Sequence, residues 1–346
     1  MILASHTPEE LSAYMVSLGE KPFRAMQVFE WIYKGAAFAG MENIPKSLRE
    51  KLTEHALETG VGIHKKWVSQ LDGTVKYLFK LHDGHMVEGV LMRYSYGNTL
   101  CVSSQVGCRM GCRFCASTLE GLARNLQAGE MAGQVISAGD DIGRGAQRRA
   151  VTNVVIMGSG EPLENYDETI RFIRLIGHEK GLGISPRNIS LSTCGLTEGI
   201  RRLSKEGLPI TLSISLHAPN DRLREQIMPV ARTYSVREVM DAAREYVLNT
   251  KRRIVIEYAL IDGLNDSVEC AQELAGLLRS LQCHVNLIPL NAVEACGFRA
   301  SGDQAVKRFL AELEGLHISA TVRRRMGADI EGACGQLRRR HLNDGL

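Results

Sequence analysis

The chain has 346 residues, of which 44% are apolar and 23% charged, with a formal net charge of +3. Such proportions belong to a globular protein with room for one large domain, or a large and a small one. No apolar run reaches the roughly 18 residues of a membrane-spanning helix, which excludes a helical membrane protein. The start, Met1 to His6, lacks the basic and apolar regions of a secretory signal, so the cytoplasm is the expected location. Nine cysteines, odd in number and unevenly placed, argue against a secreted disulfide framework and for metal or catalytic use. Basic residues cluster at Arg148-Arg149, Lys251 to Arg253, Arg323 to Arg325 and Arg338 to Arg340. These clusters suit either phosphate contacts or a solvated surface.

Residues 1–60 read as a small helical unit. Thr7-Pro8-Glu9-Glu10 supplies an N-cap, a proline at N1 and an acid at N3 for a helix reaching Gly19. A second helix runs from Pro22 to Tyr33, and Pro45 opens a third with Leu48 and Leu52 inward. Such a unit serves as a nucleic-acid accessory module or as a plain helical cap. Residues 61–97 read as a β-hairpin extension, with tight turns at Asp72-Gly73 and Asp83-Gly84. Val87, Glu88 and Val90 follow the second turn. A carboxylate between apolar residues is costly unless it is paired, functional or turned to solvent.

From residue 98 to 346, strand and helix alternate. Strands are expected at 98–104, 151–157, 187–193, 209–216, 252–261 and 283–290, with another near 317–323. Helices fill the gaps at 129–140, 166–178, 196–206, 235–249, 267–280 and 303–314. Alternation of this kind predicts an α/β fold with parallel strands and crossover helices. Six or seven units are too few for a closed eight-stranded barrel, so an open, partial (β/α)6-type barrel is expected. Its working face lies at the C-terminal ends of the strands. Those ends carry Gly158 to Pro162, then Ser192-Thr193-Cys194, Ser215-Leu216-His217, and Asn291. Glu161 there offers an acceptor for an ammonium group, and the hydroxyls suit a carboxylate or ribose.

After the first of these strands comes Cys108-Arg-Met-Gly-Cys112-Arg-Phe-Cys115. Thiolates are soft ligands for iron–sulfur clusters or zinc. A cubane usually takes four cysteines, and here three converge, leaving one metal position for a non-protein ligand. A structural zinc site would want a fourth Cys or His nearby, and none lies between Cys115 and His178. Two further thiols stand apart. Cys101 lies within a strand, and Cys334 lies in the glycine-rich stretch Gly332-Ala-Cys-Gly-Gln336. Cys194, Cys270, Cys283 and Cys296 read as structural.

The spacing Cys-x3-Cys-x2-Cys resembles that of radical S-adenosylmethionine (SAM) enzymes. The wider set of motifs is similar to the RlmN/Cfr family of RNA methyltransferases over essentially the whole chain. It comprises Glu20-Lys-Pro-Phe-Arg-Ala25, Cys101-Val-Ser-Ser-Gln-Val-Gly-Cys108, the cysteine loop and Gly160-Glu-Pro-Leu163. Ser215-Leu-His-Ala-Pro-Asn220, Asn286-Leu-Ile-Pro289 and Ala333-Cys-Gly-Gln-Leu337 complete it.

The resemblance implies a [4Fe–4S] cluster on Cys108, Cys112 and Cys115, with SAM on the open iron. It implies cofactor binding by Gly160, Glu161, Ser192, Ser215, Leu216, His217 and Asn291. Cys334 corresponds to a cysteine that becomes S-methylated, Cys101 to its transient disulfide partner, and Glu88 to a proton acceptor. The implied reaction methylates C2 of an adenosine in the peptidyl-transferase region of 23S rRNA, and of the adenosine 3′ of the anticodon in tRNAs. C2 is an electron-poor carbon that a sulfonium cannot methylate directly. The methyl therefore passes first to Cys334, and a radical made from a second SAM removes one of its hydrogens. The carbon then joins C2, and Cys101 releases the product. An electron donor of flavodoxin or ferredoxin type and a monomeric state are expected. Two alternatives remain: methylation at C8 of the same rRNA adenosine, as in Cfr, and a zinc-stabilised RNA-binding protein without activity.

Overall fold

The computed structural model describes residues 1–143, 150–291 and 296–337. The basic clusters at Arg148-Arg149 and Arg338 to Arg340 lie outside the described residues. The N-terminal unit contains α1 (Pro8–Ser17), α2 (Arg24–Tyr33) and α3 (Lys46–His55). Thr7 and Glu10 form the expected capping box, each side chain accepting the other's backbone N–H. Phe29, Ile32, Tyr33 and Leu48 are buried. Arg171 of the main domain grips Glu10, the same acid that closes the capping box.

Next come β1 (Val61–Val68), β2 (Val75–Leu81) and β3 (Met86–Tyr94), a meander whose turns fall at the two Asp-Gly pairs. β3 pairs antiparallel with β4 (Gly97–Val102), so the meander extends the main sheet instead of standing beside it. A short hairpin follows, β5 (Gln105–Gly107) with β6 (Leu122–Asn125).

The alternating part then runs α4 (Ala128–Asp141), β7 (Asn153–Ile156), α5 (Tyr166–Gly177), β8 (Ile189–Thr193) and α6 (Thr197–Leu203). It continues with β9 (Thr211–Ser215), α7 (Asp221–Ile227), α8 (Val236–Thr250), β10 (Ile254–Leu260) and α9 (Val268–Leu278). It ends with β11 (Cys283–Pro289), α10 (Asp303–Gly315) and β12 (Ala320–Val322). Among the described residues the sheet has ten strands in the order β1-β2-β3-β4-β7-β8-β9-β10-β11-β12. From β4 onward every pairing is parallel. This is the expected α/β architecture of an open, partial barrel, with crossover helices against the parallel sheet and the C-terminal strand ends on one side. Ile189, Leu191, Leu212, Ile214, Ile254 and Ile256 fill the helix-facing core. α7 and the β5–β6 hairpin are additions to the expected elements.

Candidate active site

The three-cysteine loop hangs from the base of the β5–β6 hairpin, where the Cys108 N–H donates to the Gly121 carbonyl at 3.1 Å. Within it the Cys115 N–H reaches the Cys112 carbonyl, and the Thr118 hydroxyl is placed to donate to either carbonyl. The Arg113 N–H donates to the Ile227 carbonyl at the end of α7, fixing the loop against the barrel. Cys108, Cys112 and Cys115 line an open cavity of about 990 Å³ at the strand ends.

The opposite wall is made by successive strand ends. Gly160, after β7, has φ +111°, and a Cβ there would sit 2.7 Å from the Cβ of Gln105. Only glycine lets this turn lie so close to the β5 chain. Glu161 is buried, and its carboxylate accepts the N–H groups of Leu163 at 3.0 Å and Cys194 at 2.8 Å. Burial pushes its pKa up, and those N–H groups oppose the rise. Glu161 thus ties the β7 turn to the end of β8 while still facing the cavity. The Ser192 and Ser215 hydroxyls meet at 3.3 Å across adjacent strand ends and both line the cavity.

His217 adopts a left-handed backbone, φ 59°, which costs a non-glycine residue about 1 kcal/mol. The Asn265 side chain holds it there by donating to the His217 carbonyl at 2.6 Å. The Ala259 N–H donates to Nδ1 at 2.9 Å, so Nδ1 is an acceptor and Nε2 carries the proton. Burial, with Arg224 nearby, lowers the His217 pKa to about 3, so the ring is neutral. Its edge meets Phe114 of the cysteine loop at 5.0 Å. Leu216, between Ser215 and His217, is fully buried, and its backbone bonds to Glu257 and Arg224. The site brings Leu216 near the cavity without exposing its side chain there.

Two buried charges, one behind these walls and one within them, were not singled out by sequence reasoning. Arg224 of α7 has no exposure, yet among the described residues no carboxylate is bonded to it. Its guanidinium donates to the carbonyls of Cys194 at 2.5 Å, Tyr234 at 3.0 Å and Leu216 at 3.1 Å. One cation therefore joins the ends of β8 and β9 to the start of α8. Glu257 of β10 lines the cavity, accepts the Asn286 amide at 2.8 Å, and has a pKa raised by burial.

Cys334 lines this cavity and also a smaller one of about 540 Å³ that it shares with Cys101. Its carbonyl accepts the Asn291 amide at 3.2 Å. The Ala116 N–H donates to the Gly335 carbonyl at 2.8 Å, and the Ser117 hydroxyl to the Leu337 carbonyl at 2.9 Å. Gly335, at φ +83°, makes the turn that lets the tail dock on the cysteine loop. Cys101 is buried, and burial raises its pKa to about 12, with Cys334 adding and Arg323 opposing.

Arg323 lines both cavities, so this member of a basic cluster points into the site. Cys334 foremost, then Glu257, Tyr94 and Cys101, hold its guanidinium firmly protonated against burial. Glu88 is buried on β3 and lines neither cavity. It projects on the same face as Val90, which pairs directly with Cys101 and lines the smaller cavity.

Comparison with known proteins supplies the family. Residues 2–57 match the ribosomal RNA large subunit methyltransferase N-terminal domain, and residues 102–275 match the radical SAM superfamily. A probable dual-specificity RNA methyltransferase RlmN from Alkaliphilus metalliredigens is 50% identical, covering 99% of this chain and 96% of its own. The chain belongs to the RlmN family of radical SAM RNA methyltransferases. An RlmN relative from Clostridium tetani is 49% identical, covering 97% of this chain and 95% of its own. A crystal structure of a radical SAM methyltransferase from Sphaerobacter thermophilus superposes with a TM-score of 0.94. It is 44% identical and covers 98% of this chain and 99% of its own.

The radical SAM family uses a [4Fe–4S] cluster and SAM. The donor set here fits that pair: three soft thiols, a cavity beside them, and carboxylate, hydroxyl and amide groups opposite. Burial foremost pushes all three thiols up, Cys108 to about 12, with neighbouring thiols adding to the rise. Among the described residues, no three Cys, His, Asp or Glu side chains converge on one point as a single ion requires. A cubane asks for less, because each cysteine binds a different iron.

Proposed function

We propose that this RNA methyltransferase methylates C2 of adenosine in 23S rRNA, in the peptidyl-transferase region, and in tRNA, 3′ of the anticodon. The methyl travels on Cys334. The observation that carries the reading is the position of Cys334, which lines both the three-cysteine cavity and the cavity holding Cys101. Cys108, Cys112 and Cys115 would hold the cluster. Gly160, Glu161, Ser192, Ser215, His217 and Asn291, with the Leu216 backbone, would shape the SAM site.

When bound, the cluster supplies the electron that splits SAM and so a hydrogen-abstracting radical. The protein's own groups do the rest. The Cys334 sulfur takes a methyl from SAM, one S–C bond forming as the sulfonium bond breaks, with Arg323 lining the same cavity. After that methyl loses a hydrogen atom, its carbon bonds to C2. Glu88 accepts the C2 proton. Cys101, as its thiolate, attacks the Cys334 sulfur: an S–S bond forms, the S–C bond to the product breaks, and the freed CH2 carbon takes a proton to become the methyl group. The net proton lost is that of the Cys101 thiol, and the one electron released would return to the oxidised cluster. An electron donor of flavodoxin or ferredoxin type, a cytoplasmic setting and a monomeric enzyme complete the reading. Among the described residues no helix is long and apolar enough to cross a membrane.

The test is anaerobic reconstitution, turnover on rRNA and tRNA fragments, and identification of the nucleoside by mass spectrometry and NMR. A C2 product is expected, and a C8 product would replace this reading with the Cfr reaction. A brown protein with about four irons is expected. A colourless protein holding zinc would remove the radical reading altogether.

A further inference from the structure

A buried lysine outside the cofactor cavity has a position that its fold alone does not require. Lys76 of β2 is 6% exposed at its side chain and Glu88 of β3 only 3%, and their charged groups meet at 3.2 Å. The register places Trp67, Lys76, Val90 and Cys101 in one row across β1 to β4, all on the same face. Lys76 therefore lies two strands from Cys101, about 10 Å along the row. Its ammonium has two further neighbours: the Glu331 carbonyl at 3.4 Å and the Trp67 ring at 5.4 Å. Glu331 precedes Cys334 by three residues.

The same segment is fastened to the β1–β2 turn at two other points. The Gly327 N–H donates to Asp72 at 2.9 Å, and Asp329 accepts from the Ser69 hydroxyl at 2.6 Å and the Gln70 N–H at 2.9 Å. A third, made by a buried ammonium that also holds Glu88, does something more. Desolvation alone would favour the neutral acid at Glu88, and a cation at 3.2 Å favours the carboxylate. Lys76 thus bears both on the charge and direction of Glu88 and on the placing of the segment that carries Cys334.

We propose that Lys76 is a positioning residue for the methyl transfer. It keeps Glu88 an ionised acceptor, and it registers the Cys334 segment against that acceptor. The proposal rests on the reading of Glu88 as the acceptor of the C2 proton. In that step the C2–H bond breaks, its electron pair stays with the base, and the proton joins a Glu88 oxygen while Lys76 keeps its own proton.

The experiment compares Lys76→Met, Lys76→Arg, Glu88→Gln and the double variant Lys76→Met/Glu88→Gln in the reconstituted holoenzyme. Two quantities are read: the protein–RNA adduct on a denaturing gel, and methylated product. Lys76→Met is expected to form the adduct and to resolve it at least tenfold more slowly. Lys76→Arg is expected to recover the wild-type rate within about threefold. The double variant should resolve the adduct no more slowly than Glu88→Gln, since in that step the lysine acts through the glutamate. A merely structural lysine would lower adduct formation and resolution together, and arginine would not rescue a specific step. If Lys76→Met does not fold, Lys76→Gln keeps a donor for the Glu331 carbonyl without the charge, and a stalled adduct is again expected. Adduct resolved at the wild-type rate by Lys76→Met or Lys76→Gln, with Glu88→Gln stalled, overturns the proposal. Normal resolution by Glu88→Gln itself overturns the acceptor reading instead.

Discussion

Replacing Arg224 by Met should loosen the cofactor cavity from behind. The guanidinium satisfies the carbonyls of Cys194, Tyr234 and Leu216, with a fourth contact of 3.5 Å to Ser215. Met fills a similar volume but donates nothing. Three buried carbonyls left without donors, at about 1 kcal/mol each, give a loss of about 3 kcal/mol. An unfolding entropy of about 2.1 cal/mol/K per residue over the 346 residues makes that a fall of about 4 °C in melting temperature. Lys should recover little of it, because a single ammonium cannot reach carbonyls spread over three elements as a planar fork does. The same loss frees the ends of β8 and β9, which carry Ser192, Ser215 and His217, so SAM affinity should fall at least tenfold. Urea denaturation and calorimetric titration of the reconstituted enzyme with SAM measure the two effects. An Arg224→Met variant within 1 kcal/mol of wild type, binding SAM normally, would refute the assignment of this cation as the tie between the strand ends.

Gly160→Ala should cost more in binding than in stability: its Cβ meets Gln105 at 2.7 Å in a turn at φ +111°, and calorimetry should show SAM affinity reduced at least tenfold. Cys334→Ala should keep its iron yet yield no methylated adenosine by mass spectrometry; product from it would end the role of this thiol as carrier. Cys101→Ala should accumulate a covalent protein–RNA adduct, visible on a denaturing gel. With Cys101 intact and its pKa raised to about 12, the thiolate fraction grows about tenfold per pH unit through the neutral range. Resolution of the adduct should therefore quicken as pH rises from 7 to 9, and a flat profile would count against direct attack by this sulfur.

The parallel strands from β4 to β12 were legible because each is an apolar run between amphipathic helices, and their ends could be read for polar groups in order. Glu161, Ser192, Ser215, His217 and Asn291 were found in this way, and the structure brings them to one cavity. β1 escaped a clear reading because it is largely exposed and carries His64, Lys65 and Lys66 in sequence, with no apolar alternation to mark it. The hairpin of β5 and β6 is too short to show a period. Arg224, Glu257 and Lys76 were missed for a different reason: a buried charge is recognisable only by partners distant in sequence, and nothing local distinguishes it from a surface one. Arg323 sat within a run of three arginines that the sequence left open between phosphate contacts and a solvated surface; all three line the smaller cavity, and of the three Arg323 also lines the larger. The same limit applies to Cys101 and Cys334, whose meeting depends on the fold and was anticipated from family resemblance.

The bonds from Ala116 and Ser117 to the C-terminal tail have a bearing on damage. They spring from the residues directly after Cys115, so the tail rests on the conformation of the cysteine loop. On the proposed reading, loss of the cluster would take the support from under Cys334 together with the source of radicals. The metal centre and the sulfur it serves would then fail as one unit.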